Sequence, residues 1–111
     1  SQQDCYGFGE PEERSFLDHG GFLSILADGM GGMEHGDAAS RTAVRTFREA
    51  YAQKTPAESI PDALERSLRT TNAAVVAHAK ELALAEKVGT TLVAAVIHES
   101  GLFWTSVGDS N

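Results

Sequence analysis

Three aspartates, Asp4, Asp28 and Asp109, each sit where an apolar run meets turn-forming residues, and Asp28 is followed closely by Gly29, Gly31, Gly32 and Gly36. Carboxylates at strand ends, backbone carbonyls beside glycine and room for water are the hard oxygen donors that Mg²⁺ or Mn²⁺ takes. No His/Cys cluster is present to favour a softer metal. Acids gathered without a cation repel one another, so an ion at such a place relieves them. Taken singly, Asp28-Gly29 and Gly108-Asp109-Ser110 also read as ordinary turns, and Asp4 is unremarkable. The glycine density weights Asp28 toward a ligand. Glycine lets the backbone approach an ion or a phosphate, and the helix that follows points its N-terminus at the same space. His35 in that stretch and Arg41 behind it are candidates for touching an anion. A solvated loop histidine and a solvated arginine face (Arg41, Arg45, Arg48) explain them more simply.

These residues need elements to hold them. Gln3 to Gly9, with Cys5, Tyr6 and Phe8, suits a short strand that Pro11 and the charged stretch 10–14 end. Phe22 to Ala27 suits a second strand, opened by Gly20-Gly21 and closed by Asp28-Gly29. The two are most simply antiparallel, which puts Asp4 and Asp28 at one end of the sheet as a carboxylate pair. The glycine-rich stretch 28–36 suits neither helix nor strand. From Asp37, a plausible N-cap, the period becomes helical, with Ser40, Ala43, Val44, Phe47 and Tyr51 on one face. Ser59-Ile60-Pro61-Asp62 marks a second helix start, and Leu64, Leu68, Thr71, Val75, Ala79 and Leu82 form its apolar stripe. Gly89 to Ile97 is apolar at successive positions, the pattern of a strand buried on both faces. His98-Glu99-Ser100-Gly101 reads as a hairpin turn into Leu102–Val107, with Phe103 and Val107 on one side and Leu102 and Trp104 on the other. The fold class is α+β, one sheet with helices on one face and more sheet on the other.

Composition narrows the classes of partner. Residues 1–37 hold eight acids and one base, Arg14, whereas residues 38–111 hold eight of each, so the net charge of −7 resides in the first third. Nucleic acid is excluded, because its binders cluster Lys and Arg. Neither an apolar run of bilayer length nor a basic-then-apolar leader is visible, so no membrane partner is expected. The lone Cys5 has no disulfide partner and reads as a small packing residue in a reducing, cytoplasmic setting.

Leu26-Ala27-Asp28-Gly29-Met30-Gly31-Gly32 followed by Gly36-Asp37-Ala38-Ala39-Ser40, then Val88-Gly89-Thr90-Thr91-Leu92-Val93 and Val107-Gly108-Asp109-Ser110, resembles the ordered motifs of PP2C-type (PPM) protein serine/threonine phosphatases of bacteria. The resemblance spans essentially the whole chain. It implies an α-β-β-α sandwich of antiparallel sheets flanked by helices, with a dinuclear Mn²⁺ or Mg²⁺ centre at the sheet rim. It also implies that Asp28 bridges the two ions as the catalytic residue and that Gly29 offers its carbonyl. Asp4 then belongs to the first metal motif, and Asp109 is a candidate ligand of a further ion. The implied reaction is hydrolysis of phosphoserine or phosphothreonine in a protein by a metal-activated water, opposing a Ser/Thr kinase.

Departures from the family pattern set further expectations. Gln2-Gln3-Asp4 stands where the family has Asn-Glu-Asp or Asn-Gln-Asp, and Met30 stands where eukaryotic members carry a histidine proposed as general acid. The family's phosphate-contacting arginine lies upstream of the first motif and its remaining metal aspartates lie downstream of Gly-Asp-Ser. Residues 1–111 therefore read as the N-terminal portion of one phosphatase domain, cut at both ends, able to associate through an exposed sheet edge. A catalytically incomplete regulatory or partner-binding module is the competing expectation. A nucleotide cradle is weaker, since no Lys-Ser/Thr follows the glycines.

Overall fold

The computed structural model describes residues 2–6, 17–30, 33–81, 89–99 and 101–107. Among them are β1 (Gln2–Tyr6), β2 (Phe22–Met30), α1 (Met33–Ala52), α2 (Ile60–Glu81), β3 (Gly89–His98) and β4 (Gly101–Val107). The strands form one sheet in the order β1-β2-β3-β4, every neighbouring pair antiparallel. Both helices pack on the same face. Alternation explains why: Leu23, Ile25 and Ala27 of β2 and Leu92, Ala94 and Val96 of β3 point one way and are buried. Ala43, Val44, Phe47 and Tyr51 of α1 and Ile60, Ala63, Leu64 and Val75 of α2 meet them at helical spacing, closing one core.

The junction between the helices is built by capping. Ser59 accepts a hydrogen bond from the Asp62 backbone N–H at 3.2 Å, so it serves as the N-cap of α2. Arg66, one turn further on, donates to both carboxylate oxygens of Glu58 at 2.7 and 2.9 Å and to the Ala50 carbonyl at 2.9 Å. One guanidinium thus satisfies an end carbonyl of α1 and orders the connection to α2. The hydrogen bond to Arg66 is also the main reason Glu58 holds its charge below the usual carboxylate range.

The structure revises three expectations. Asp28-Gly29 does not close β2; the strand runs on to Met30, paired with β3 throughout. Helix α1 starts at Met33, so Glu34, His35 and Gly36 are helical and Asp37 lies inside the helix rather than capping it. Ladder pairing and packing of the helix face override the local glycine preference. Among the described residues strand β3 is covered on one face only: Val93 and Ile97 are exposed, as are Phe22 and Leu26 of β2 and Leu102 and Trp104 of β4. That apolar face is the one on which the sandwich expectation places the second sheet. Strands β3 and β4 pair antiparallel, as the hairpin reading requires, with His98 opposite Gly101.

Candidate functional site

The chain's direction carries several motifs to one rim of the sheet. Gln2, Ala27, Leu92 and Val107 form a single row across all four strands. One residue beyond that row Asp28 faces Thr91, then Gly29 faces Thr90, and Met30 faces Gly89. The end of β2, the start of β3, the end of β4 and, after a short connection, the start of α1 therefore lie on the same side. The Asp-Gly motif and the Gly-Thr-Thr motif, some sixty positions apart in the chain, become backbone neighbours.

Asp28 is exposed, on the face of the sheet away from the helices, since its neighbours Leu23, Ile25 and Ala27 alternate toward the core. Asp4 is on the adjacent strand, as the antiparallel reading requires, but at the centre of β1, opposite Ile25. That is three rows from Asp28, or about 10 Å along the sheet. The register makes Gln2, not Asp4, the β1 residue nearest to the Asp28 row. Asp109 lies outside the described residues, two positions past Val107. His35 falls in the first turn of α1, and Arg41 is exposed on the same helix.

Among the described residues no three His, Cys, Asp or Glu side chains gather as a metal site. What the described rim offers is the Asp28 carboxylate and the Gly29 backbone. These are hard oxygen donors suited to Mg²⁺ or Mn²⁺, though fewer than a full octahedron needs. A cavity of about 510 Å³ lies elsewhere, between Pro61 and Leu64 of α2 and residues 102–105 of β4. It has no part in the rim. No described helix is long and apolar enough to cross a membrane.

A second group of polar residues escaped sequence reasoning. His19, Lys54 and His98 come together at the opposite end of the sheet from positions far apart in the chain. No periodicity links positions that far apart.

Known proteins extend the comparison. A sequence model of the protein phosphatase 2C family matches residues 3–111. The serine/threonine phosphatase stp of Listeria innocua is 39% identical over 91 residues, which cover 79% of this chain and 36% of the relative. The phosphatase of the same name from Listeria monocytogenes serotype 4b is 38% identical over the same shares. The chain thus spans about a third of the length of these curated relatives. Among solved structures, the serine/threonine phosphatase PstP/Ppp of Mycobacterium tuberculosis superposes with a TM-score of 0.68 at 24% identity, over 97% of this chain and 47% of that one. A Stage II sporulation E family protein from Thermanaerovibrio acidaminovorans gives a TM-score of 0.60 at 29% identity, over 79% and 40%.

Proposed function

Because the chain belongs to the protein phosphatase 2C family, we propose that it supplies the N-terminal part of a metal-dependent protein serine/threonine phosphatase site, with Asp28 as its central residue. The observation that carries this reading is the rim itself, where Asp28-Gly29 at the end of β2 pairs with Thr90-Thr91 at the start of β3. The family generally uses divalent metals. In this reading Asp28 and the Gly29 carbonyl would hold the ions, Mn²⁺ or Mg²⁺, with Asp109 and Asp4, the latter three rows along the sheet, as further ligands. Bound ions would supply an activated water and neutralise charge on the transferring phosphoryl group.

The chain's own residues set the electrostatic terms. Residues 1–37 are strongly acidic, which favours a cation and opposes a bare phosphate. A phosphorylated protein would therefore approach this rim productively only once the cation charge is in place. Met30, beside the Asp-Gly pair, has no proton to give, so protonation of the leaving seryl or threonyl oxygen falls to water or to groups elsewhere. Opposition to a Ser/Thr kinase follows from the substrate class.

The test is Asp28→Asn in the full-length protein. It removes a ligand charge with almost no change in volume, and Mn²⁺-dependent, EDTA-sensitive hydrolysis of an aryl phosphate and of a phosphothreonine peptide should fall to background with the fold retained. Wild-type turnover in that variant would overturn the assignment. Gln3 in the first motif favours a second reading, a catalytically incomplete regulatory module. Calorimetric titration with Mn²⁺ separates the two, since a full-length protein that binds no metal belongs to the second.

A further inference from the structure

Three side chains from two distant elements converge on the helical turn 17–20 that leads into β2. The Tyr51 hydroxyl donates to the Gly20 carbonyl at 2.6 Å. His98, at the end of β3, bonds the Asp18 carbonyl through Nε2 at 2.8 Å. Lys54, just past the end of α1, places its ammonium 3.2 Å from His19 Nδ1 and 3.1 Å from the Thr55 carbonyl. Gly21 closes the turn by donating to the Leu17 carbonyl at 3.1 Å. Its φ of 72° fits it between Ile97 and Val96, where an added Cβ would lie 2.7 Å from atoms of both.

The two histidines use their nitrogens differently. A carbonyl only accepts, so His98 Nε2 carries a hydrogen, and that bond survives whether the ring is neutral or charged. Lys54 is 5% exposed and its ammonium only donates, so His19 Nδ1 is the acceptor and His19 is neutral with its proton on Nε2. We propose that this end of the sheet carries a proton-operated latch: neutral His19 fastens the 17–21 turn to Lys54, and uptake of one proton on His19 Nδ1 releases it. The new N–H would face an ammonium at 3.2 Å, losing an acceptor and creating a like-charge contact.

Among the described residues, the charged groups acting on His19 are Lys54, Asp18 on its own turn and His98 from β3, with Glu58 acting on Lys54. Burial and then Lys54 hold the His19 proton affinity below its ordinary value, and Asp18 opposes them. The sign follows. The folded latch takes the proton less readily than a released turn, so fastening is complete above the ordinary histidine range and is lost as pH falls through it. The latch holds the start of β2, the strand whose other end carries Asp28.

The test is amide hydrogen exchange of the full-length protein, read as protection factors over residues 18–24 between about pH 7.5 and pH 5, with the centre of α1 around Phe47 as internal control. Protection of 18–24 relative to the control should fall on acidification by about tenfold for each unit by which folding depresses His19. His19→Gln keeps an acceptor for Lys54 that no proton can occupy, so the turn should stay protected and the acid step should vanish. Lys54→Met removes both partner and like charge and leaves burial acting on the ring, so protection should be lower at neutral pH and its acid step smaller than in the wild type. Should His19→Gln fail to fold, an acid step undiminished by Lys54→Met would overturn the latch. So would an acid step that persists in folded His19→Gln, or a wild-type His19 titrating at or above 6.5 by NMR.

Discussion

Replacing Tyr51 with Phe deletes one oxygen and little else, which makes it a clean measure of what ties α1 to the turn before β2. The ring is 1% exposed and belongs to the core, so its apolar burial is retained. The hydroxyl donates at 2.6 Å to the carbonyl of Gly20, itself buried. Without it, that carbonyl loses its donor where water does not replace it, a cost of about 1–3 kcal/mol. Tyr51→Ala adds a cavity to the same loss and should cost about 3–5 kcal/mol, so the pair of variants separates bond from packing. At about 2–4 °C per kcal/mol for a whole domain of about 150–250 residues, Tyr51→Phe in the full-length protein should lower the melting midpoint by about 2–12 °C. Burial, and secondarily Glu58, push the phenol well above its ordinary 10.0, so it remains a donor through neutral and mildly alkaline pH. The loss should therefore be the same at about pH 7.5 and pH 9, both above the range in which the latch releases. Urea titrations followed by far-UV circular dichroism give both values with an unchanged m; Trp104, 67% exposed, is a poor reporter. A loss under about 0.5 kcal/mol, the scale of ordinary surface substitutions, or one that varies with pH, would refute the reasoning.

Gly21→Ala should be the more damaging of two glycine substitutions. Its backbone stands at φ 72°, and the new methyl overlaps Ile97 and Val96, whereas Gly101 at φ 141° has no atom within 4 Å of an added Cβ. Strain alone costs about 1–3 kcal/mol at either position, so thermal melts should rank Gly21→Ala clearly below Gly101→Ala, and equal midpoints would mean that the overlap is relieved. On the apolar face, the double substitution Leu102→Glu, Trp104→Glu should reduce self-association of the 111-residue chain in sedimentation velocity. Helical circular dichroism should be unchanged, since both side chains point away from the core. Undiminished association would place the contact elsewhere, with the edge of β4 that no described strand pairs as the next surface to test.

How much of this was legible in sequence depended on the range of the signal. The helix faces read correctly because burial repeats at a period the chain itself carries: Ser40, Ala43, Val44, Phe47 and Tyr51 are all buried, and Arg41 and Arg45 are exposed. The start of the second helix was legible at Ser59-Ile60-Pro61-Asp62 because start signals span only a few residues; that Ser59 caps it emerges from the structure. The end of β2 was not. Asp28-Gly29 has the local chemistry of a turn, and only the ladder with Thr90 and Thr91, residues far along the chain, keeps it extended. The place of Asp4 along β1 was not legible for a related reason: an antiparallel pairing was inferable, but its register against Ile25 was set by residues that carry no period.

The same distinction separates the two ends of β2. Its C-terminal end is marked by motifs of the protein phosphatase 2C family, which are legible as residue type and spacing along the chain. Its N-terminal end is held by Tyr51, Lys54, His19 and His98, a set defined by which atom donates to which and therefore invisible until the chain is folded. A strand nine residues long spans about 30 Å, so the latch cannot act on Asp28 through charge, which is screened within about 8–10 Å at ordinary ionic strength. Any influence of one end on the other must run through the strand's pairing with β3. Leu23↔Val96 and Ile25↔Ala94, both buried pairs, are the rows that would transmit or block it.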